Sequence, residues 1–505
     1  MDLLTKHAER MPDKVAVIDD RPGEPVRSMT FGDLNRYVNR IANGLLERGV
    51  GPGAKVLWGG KNSLEQLAFV HAGRKVGCIT VPLNYRLSDE ETVYIVDNSD
   101  SELVWMDGEY AGMFERIAPA LDKVRDVVIF AGDPRPGQVA EADFLGDETE
   151  PTLPEVAAGT MIYTSGTTGH PKGAVKTGMA SLEQTSGLFH LLGYQHDDIY
   201  LTCGPLYHSG PGGFARSAHA MGHTIVVQHR FDPEDWLRLL DTHRCTSTFS
   251  APTPIRMICD LPAGVKDRYD RSSMRVMIAN AAPWSMALKE AYLANFPPES
   301  LWEVYGSTEL GVNTVLAPRD QLRKPGSCGT PPPGVEIRLY DDDGRVVTEP
   351  NEPGELFVRA STVLDTYYKA DDRFAEDDRD GWHTVGDVAY VDDEGYYFIC
   401  DRKKDMIISG GMNIYPAEIE GALERHPLVY ESAVVGIPDD RWGESVLACV
   451  VRRAEELSAE DVEAHCREHL AGYKVPRRIE FVDDIPKTGS NKILKRELRD
   501  RFAGG

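Results

Sequence analysis

The sequence predicts an α/β protein: a large N-terminal region of two doubly wound α/β subdomains and a small β subdomain, then a small α+β C-terminal domain. Three observations predict this organisation. Strand and helix signals alternate through the first 130 residues and again over 160–320, which favours parallel sheets covered by helices. Short alternating strands replace them over 326–400, and a mixed unit begins near 405. A chain of 505 residues is also too long for a single core.

The N-terminal elements can be assigned from apolar spacing and capping residues. Val15–Ile18 has the composition of a strand, and Thr30 is expected to cap a helix that carries Asp33 in its first turn. Further signals indicate strands at 56–58, 78–81, 103–106 and 126–130 and a helix at 64–70. The acidic, turn-rich segment 131–152 is predicted to be a surface connection.

The later elements follow a different pattern. "GVEIRLYDDDGRVV" alternates apolar and polar residues and contains Asp343-Gly344, a hairpin signal. Beyond residue 405, one helix is expected to begin at Pro416 and another to be capped by Ser458. Strands are expected there at 433–437, 446–451 and 479–482.

Composition and charge exclude several classes of protein. The chain is 41% apolar and 27% charged, which is ordinary for a globular protein, and its net charge of -25 argues against nucleic acid or an anionic membrane surface as a partner. No apolar run reaches spanning length, and the opening residues lack the apolar segment of a signal peptide. The eight cysteines are scattered without a CxxC pair, which suits a reducing compartment. We therefore expect a cytoplasmic protein with no nucleic-acid partner and no integral membrane segment.

One loop, "YTSGTTGHPKG" (163–173), has the composition of a phosphate-binding loop. Glycines allow close approach of the backbone, and its amides, hydroxyls and Lys172 can all point at one anion. A solvated Ser/Thr/Gly loop is the alternative explanation of such a composition. It is not a Walker A loop, because His170 and Pro171 separate Gly169 from the lysine.

Further motifs follow in order: "NAAP" (280–283), "YGSTE" (305–309), "GWHTVGD" (381–387), "DRKKDMIISGGMNIYPAEIE" (401–420), "WGE" (442–444) and "PKTGSNKILKREL" (486–498). Together with the loop at 163–173 they resemble the adenylate-forming enzymes, the group of acyl-CoA synthetases, luciferases and peptide-synthetase adenylation domains. The resemblance spans essentially the whole chain. It implies an adenylation domain at 1–400, with the β subdomain at about 326–400, a hinge at 401–404 and a mobile C-terminal domain at 405–505.

The resemblance implies an enzyme that joins a carboxylic acid to ATP as an acyl-adenylate and then transfers the acyl group to the thiol of coenzyme A. It implies that the β- and γ-phosphates are bound by Thr164, Ser165, Gly166, Thr167, Thr168, Gly169 and Lys172. Glu309 would hold Mg²⁺, a cation that prefers hard oxygen ligands, and Thr308 would donate to the α-phosphate. Adenine would lie between Tyr305 and the backbone of Ala281, Ala282 and Pro283. Asp387 and Arg402 would bind the ribose.

Residues of the last hundred positions would serve the two steps separately. By resemblance, Lys492 is the catalytic lysine that bridges the carboxylate and the α-phosphate, although composition alone favours a solvated lysine in a locally basic tail. Lys404 occupies the hinge position. Gly410 and Gly411 would line the pantetheine tunnel, and Trp442 would contact the CoA nucleotide.

The identity of the acid is a weaker expectation. The stretch "GPLYHSGPGGF" (204–214) has no acidic residue to pair with an ammonium group, so amino acids are expected to be poor substrates. By resemblance, His208 would be the gating residue beside the substrate carboxylate, although a lone histidine is more often structural. The other candidate lining residues are largely apolar: Tyr207, Phe214, Phe249, Pro252 and Val312. We expect an apolar acid, with medium- or long-chain fatty acids ahead of aryl or steroid-derived acids.

Alternatives remain at this point. They are an adenylation module that loads a carrier-protein thiol, a luciferase-type oxygenase and a nucleotide-binding relative without activity. Since no carrier domain follows residue 505, we expect the acceptor not to be fused. A short H-x-x-E-H string (465–469) matches a zinc peptidase motif but lacks an evident third ligand. The oligomeric state is open, with a homodimer as one alternative.

Overall fold

The computed structural model describes residues 2–152, 156–164, 171–178, 182–282, 284–370, 378–439, 441–487 and 493–502, with backbone alone at 182 and 183. Within these ranges, no helix combines the length and apolar character needed to cross a bilayer.

The elements of the first third are α1 (Leu3–Arg10), β1 (Val15–Asp19), β2 (Arg27–Thr30), α2 (Phe31–Glu47), β3 (Lys55–Gly59), α3 (Leu64–Lys75), β4 (Ile79–Leu83), α4 (Asp89–Asn98), β5 (Ser101–Asp107), α5 (Ala111–Ile117), β6 (Asp126–Phe130), β7 (Val139–Ala140) and α6 (Glu141–Phe144). The middle third contains β8 (Gly159–Thr164), β9 (Lys172–Thr177), α7 (Leu182–Leu191), β10 (Ile199–Leu201), α8 (Ser209–Ala220), β11 (Thr224–Val227), α9 (Pro233–Thr242), β12 (Ser247–Ser250), α10 (Pro252–Cys259), α11 (Ala263–Lys266), β13 (Val276–Ala279), α12 (Met286–Asn295), β14 (Leu301–Ser307) and β15 (Gly311–Leu316). The last third contains β16 (Val335–Tyr340), β17 (Gly354–Ala360), β18 (Thr366–Tyr367), β19 (Asp378–Arg379), β20 (Trp382–Val391), β21 (Tyr397–Arg402), β22 (Ile407–Ser409), β23 (Met412–Ile414), α13 (Pro416–Leu423), β24 (Val429–Asp439), β25 (Gly443–Arg452), α14 (Ala459–His469), β26 (Arg478–Phe481) and α15 (Lys495–Phe502).

Two eight-stranded sheets form the large N-terminal region. The first has the order β15-β14-β13-β12-β10-β11-β1-β2, and the second has the order β18-β9-β8-β4-β3-β5-β6-β7. Their inner pairs are parallel, whereas antiparallel strands lie at the edges, as in the pairs β1–β2 and β14–β15. The predicted α/β class with two doubly wound sheets is therefore confirmed.

Two smaller sheets complete the structure. The third sheet has the order β16-β17-β20-β19, with β21 paired to β20, and is antiparallel throughout. The fourth sheet has the order β23-β22-β25-β24, with β26 parallel to β25, and α13 packs on β24. The predicted small β subdomain and α+β C-terminal domain match these two units.

Local capping explains where several helices begin. Thr30 and Asp33 exchange side-chain to backbone hydrogen bonds at the start of α2, as predicted. Ser458 forms the same reciprocal cap with Asp461 at the start of α14. Pro416 occupies the first turn of α13, where its missing N–H costs no hydrogen bond.

The segment 131–152 lies largely at the surface, as predicted, but it contains secondary structure and a buried phenylalanine. It contains β7 and α6, and the side chain of Phe144 is 1% exposed. Phe144 packs edge-on against Trp105, with ring centroids 5.7 Å apart. Gly44 allows Phe144 to lie this close to α2, since a Cβ at Gly44 would lie 2.3 Å from the Phe144 carbonyl oxygen. The acidic composition of the segment gave no indication that Phe144 is buried.

Candidate active site

A cavity of about 1790 Å³ lies where the two large sheets and the C-terminal domain meet. It is lined from the first sheet by residues that follow β10, β12, β13 and β14, at the carboxyl ends of parallel strands. Ligand sites of open α/β sheets occur at such edges. The cavity therefore has the position expected of a ligand-binding site.

The predicted phosphate loop joins β8 to β9 at this cavity. Thr164 and Lys172 are paired residues at the loop end of that antiparallel hairpin, and Thr164 lines the cavity. Lys172 Nζ lies 5.4 Å from the centre of the Tyr367 ring. Strand β18 lies against β9 and positions this tyrosine. Ser165, Gly166, Thr167, Thr168 and Gly169 lie outside the described residues.

Thr308 and Glu309 occupy the turn between β14 and β15. Thr308 Oγ1 lies 2.8 Å from Ser209 Oγ, and both residues line the cavity. Tyr367 donates a hydrogen bond of 3.4 Å to Glu309 Oε1. Tyr367 therefore connects Glu309 with Lys172, an arrangement that no sequence motif predicts.

Tyr305, Asp387 and Arg402 come together, as the resemblance implies. Tyr305 donates a 2.5 Å hydrogen bond to Asp387 Oδ2, and Arg402 Nε lies 3.4 Å from Asp387 Oδ1. The register of β20 and β21 places Asp387 directly opposite Arg402. Burial and the neighbouring charge of Asp387 raise the pKa of the Tyr305 phenol well above its usual range, so it remains a donor.

The "NAAP" segment follows β13 at the same edge. Ala281 lines the cavity with a φ of 73°, in the left-handed region that is uncommon for a residue with a Cβ. Ala282 follows it and is exposed, and Pro283 lies outside the described residues. The backbone of Ala281 is thus turned away from the strand direction towards the cavity.

The C-terminal domain contributes to the cavity from the other side. Lys404, Asp405, Lys487 and residues 493–496 line it. Lys487 and Ile493 form an isolated antiparallel bridge, which marks the ends of the segment that carries Lys492. Lys492 itself lies outside the described residues.

Three predicted CoA-binding residues lie elsewhere. Gly410, Gly411 and Trp442 are absent from the described lining of the cavity, but they form a group of their own. Gly410 has a φ of 59°, and a Cβ there would lie 2.7 Å from Trp442 Cε3. The guanidinium groups of Arg441 and Arg477 lie 4.8 and 4.4 Å from the Trp442 ring.

Aromatic rings form the wall near the start of α8. Phe214 and Phe249 are stacked, with centroids 5.2 Å apart and planes at 26°. The Phe249 ring covers Gly210 so closely that a Cβ there would lie 2.3 Å from Cζ. The His208 ring lies 4.2 Å from that of Tyr207, and both line the cavity.

A buried thiol also lines the cavity. Cys203 is 3% exposed, and its Sγ lies 3.3 Å from Ser250 Oγ. Burial raises the pKa of this thiol to about 12.

The zinc alternative is not supported by the histidines at 465 and 469. Nε2 of His465 donates to the Ala422 carbonyl oxygen at 2.9 Å, and Nδ1 of His469 donates to the His465 carbonyl oxygen at 2.8 Å. Among the described residues, no cluster of His, Cys, Asp or Glu has the arrangement of a metal site.

Comparison with known protein families identifies the family to which the chain belongs. The AMP-binding enzyme profile matches residues 4–368, and the profile of the AMP-binding enzyme C-terminal domain matches residues 418–492. The chain belongs to the AMP-binding enzyme family. The predicted membership of the adenylate-forming group and the predicted acid–thiol ligase class are thereby confirmed.

Individual relatives of this AMP-binding enzyme cover nearly its whole length. It is 36% identical to a feruloyl-CoA synthase of an Amycolatopsis species over 482 residues, 94% of each chain. It is 34% identical to a fatty acid–[acyl-carrier-protein] ligase of Streptomyces coeruleorubidus over 99% of this chain and 95% of that one. It is 32% identical to a 2-succinylbenzoate–CoA ligase of Bacillus cereus over 98% and 97%. The o-succinylbenzoate CoA synthetase of Bacillus subtilis, solved with ATP and a magnesium ion, superimposes with a TM-score of 0.84 at 28% identity over 99% of both chains.

Proposed function

We propose that this AMP-forming CoA ligase activates an aryl carboxylic acid. The sequence favours a fatty acid, with an aryl acid as the alternative, and three of the four relatives named above act on aryl acids. The observation that carries the proposal is the wall formed by the stacked rings of Phe214 and Phe249 beside Gly210. A flat aromatic acid can stack on such a surface, which adds to simple apolar burial.

ATP, Mg²⁺ and CoA are the small molecules that this class of ligase uses, and their prediction is confirmed. The residues present suit them. Thr164, Lys172 and Thr308 offer donors for phosphate oxygens, and the Glu309 carboxylate is a hard ligand of the kind Mg²⁺ prefers. When bound, Mg²⁺ neutralises phosphate charge.

The residues of the chain would position the reactants. Asp387, which accepts a hydrogen bond from Tyr305, would accept the ribose hydroxyls. We propose that Lys492, brought by the C-terminal domain, neutralises charge between the acid and the α-phosphate. The Lys404 region would then act as the hinge that exchanges this segment for Gly410 and Gly411.

A substrate panel tests the proposal. Pyrophosphate release would be measured with hydroxycinnamates, benzoates and straight-chain acids from C4 to C16, with CoA present or absent. We expect aryl acids to have the highest kcat/KM and to yield CoA thioesters. A straight-chain acid with the highest kcat/KM would contradict the proposal, and transfer to an acyl-carrier protein but not to CoA would favour the carrier alternative.

A matched pair of variants tests the aromatic wall. Phe249→Leu removes the stacking surface, and we expect the ratio of aryl to alkyl kcat/KM to fall several-fold. Phe296→Leu is the control, because Phe296 is also buried and stacked, 4.7 Å from Tyr292, but does not line the cavity. It should lower Tm without changing that ratio. An equal ratio in both variants and the wild type would exclude Phe249 from substrate selection.

A further inference from the structure

Two arginines face the cavity beside the aromatic wall. Arg216 lies on α8 and Arg74 on α3, and both side chains line the cavity. Within the part of the chain that the structure describes, neither guanidinium forms an ion pair or a hydrogen bond. Two other arginines at the cavity are paired, Arg402 with Asp387 and Arg499 with Asp405.

The surroundings do not balance these two charges. His219 Nε2 donates to the Ala16 carbonyl oxygen, so its Nδ1 accepts from His71 Nε2 at 2.9 Å, and both rings are neutral. Burial, with a smaller contribution from the other cationic groups nearby, holds the pKa of both histidines low. The carboxylate whose charge acts on Arg74 is that of Asp2. It already pairs with Lys75 at 3.2 Å and caps α1.

The two guanidinium groups are also close enough to repel each other. Burial and the charge of Arg74 together lower the pKa of Arg216 to about 10, which leaves it cationic at neutral pH. Arg216 is partly buried, whereas Arg74 is exposed. A partly buried charge without a partner is costly, and a like charge nearby adds to the cost. A ligand anion between the two groups would remove that cost.

The position of the Arg216 guanidinium determines how far apart the two anionic groups of such a ligand would be. Nη1 lies 3.3 Å from the place a Cβ on Gly212 would take, and Nη2 lies 3.9 Å from that of Gly213. Gly212 and Gly213 follow Ser209, the partner of Thr308, by three and four residues of helix. At 1.5 Å per residue the offset is roughly 4.5–6 Å, so an anion held by Arg216 would lie roughly 6–8 Å from a carboxylate at Thr308.

We propose that the preferred substrate is an aromatic dicarboxylate, whose second carboxylate is bound by Arg216 and Arg74 while the first is activated near Thr308. This inference rests on the proposed aryl-acid function and narrows its substrate class. The spacing fits carboxylates at opposite ends of one ring. Arginine suits this role because its planar guanidinium can donate two parallel hydrogen bonds to a carboxylate.

Three acids of similar shape test the contribution of the second carboxylate charge. Pyrophosphate release would be measured with terephthalate, with its monoamide, which keeps the shape but loses the charge, and with 4-methylbenzoate. We expect the wild type to show at least a 10-fold higher kcat/KM for terephthalate than for the monoamide. A preference for the monoamide or for 4-methylbenzoate would overturn the inference and leave the aryl-acid function standing. Turnover of fatty acids but of none of these acids would overturn both.

Substitutions at Arg216 and Arg74 test whether these two residues bind the second carboxylate. Arg216→Met should raise KM for terephthalate 10- to 100-fold while leaving kcat/KM for the monoamide within about threefold, and Arg216→Lys should retain part of the preference. Arg74→Met should have a smaller effect of the same sign. Arg319→Met, at a side chain that is 85% exposed, is the control and should change neither acid. Equal losses for both acids, or no loss for terephthalate, would overturn the inference. If Arg216→Met does not fold, the acid pair on the wild type and Arg74→Met decides it.

Discussion

At the scale of single residues, Glu309 illustrates how contacts define a role. Tyr367 donates to its carboxylate, and the same ring lies beside Lys172. We predict that Glu309→Gln, which keeps the shape but removes the anionic ligand, lowers kcat/KM at least 10-fold at low Mg²⁺. Raising the Mg²⁺ concentration should recover part of the loss, measured as pyrophosphate release over a magnesium titration.

The control for this prediction is Glu336→Gln, whose exposed carboxylate pairs with the exposed side chain of Arg359. It should show the wild-type magnesium dependence. A Glu309 variant with near-wild-type activity at every Mg²⁺ concentration would remove this residue from the metal site.

Tyr305 acts on the same site through Asp387. Tyr305→Phe removes the donor to a carboxylate that is 7% exposed, which should cost about 1–2 kcal/mol of stability. Because Asp387 loses its fixed orientation, we also predict a several-fold higher KM for ATP with a smaller change in kcat. A thermal melt and ATP titration measure both effects. Loss of stability with an unchanged KM for ATP would indicate a purely structural bond.

Lys492 belongs to a segment whose two flanks reach the cavity. We predict that Lys492→Ala abolishes adenylation and leaves most of the transfer from synthetic acyl-AMP to CoA. The reason is that this lysine would act on the acid and α-phosphate in one domain arrangement alone. Equal collapse of both half-reactions would show that the assignment is wrong.

At the scale of elements, the turn between β22 and β23 depends on a residue without a side chain. Gly410 donates its backbone N–H to the Trp442 carbonyl at 2.8 Å, and a Cβ would collide with the indole. We predict that Gly410→Ala slows thioester formation at least 10-fold and leaves adenylation within about threefold. Gly421→Ala is the control, since nothing lies within 4 Å of its Cβ position. A matched loss of both half-reactions would indicate misfolding of the domain instead.

Elements with strong local signals were predictable. Thr30 and Ser458 carry their own capping partners, so their helices begin where the sequence indicates. Segment 131–152 lies largely at the surface, as predicted, but the burial of Phe144 was missed because a single apolar residue leaves no periodic pattern. Tyr367 and Arg216 were missed for a related reason: their importance depends on neighbours distant in sequence.

At the scale of the whole molecule, contacts join the two unequal parts. Arg256 on α10 donates to the Tyr430 carbonyl at 2.5 Å and lies 3.7 Å from Glu424. Among the residues singled out by the motifs, Thr164, Thr308 and Lys404 line the cavity from separate elements. The acid was harder to predict, because the composition of an apolar pocket does not reveal whether its rings are stacked.

The Lys404 hinge gives a prediction at this scale. Proline fixes φ and restricts the residue before it, so Lys404→Pro should hold the parts in one arrangement. We predict that adenylate forms at a near-normal rate and that transfer to CoA slows at least 10-fold, as measured in single-turnover assays of each half-reaction. Similar slowing of both, with a lowered Tm, would point to misfolding instead of a blocked hinge.

The buried thiol of Cys203 has a consequence for chemical selectivity. An enzyme that activates an acyl group beside a cysteine risks transferring that group to itself. Burial raises the pKa of Cys203 far above neutral pH, so it stays a thiol, and the thiolate is the nucleophile. The protein thus keeps its own sulfur unreactive and leaves the acyl group for the acceptor that arrives from solution.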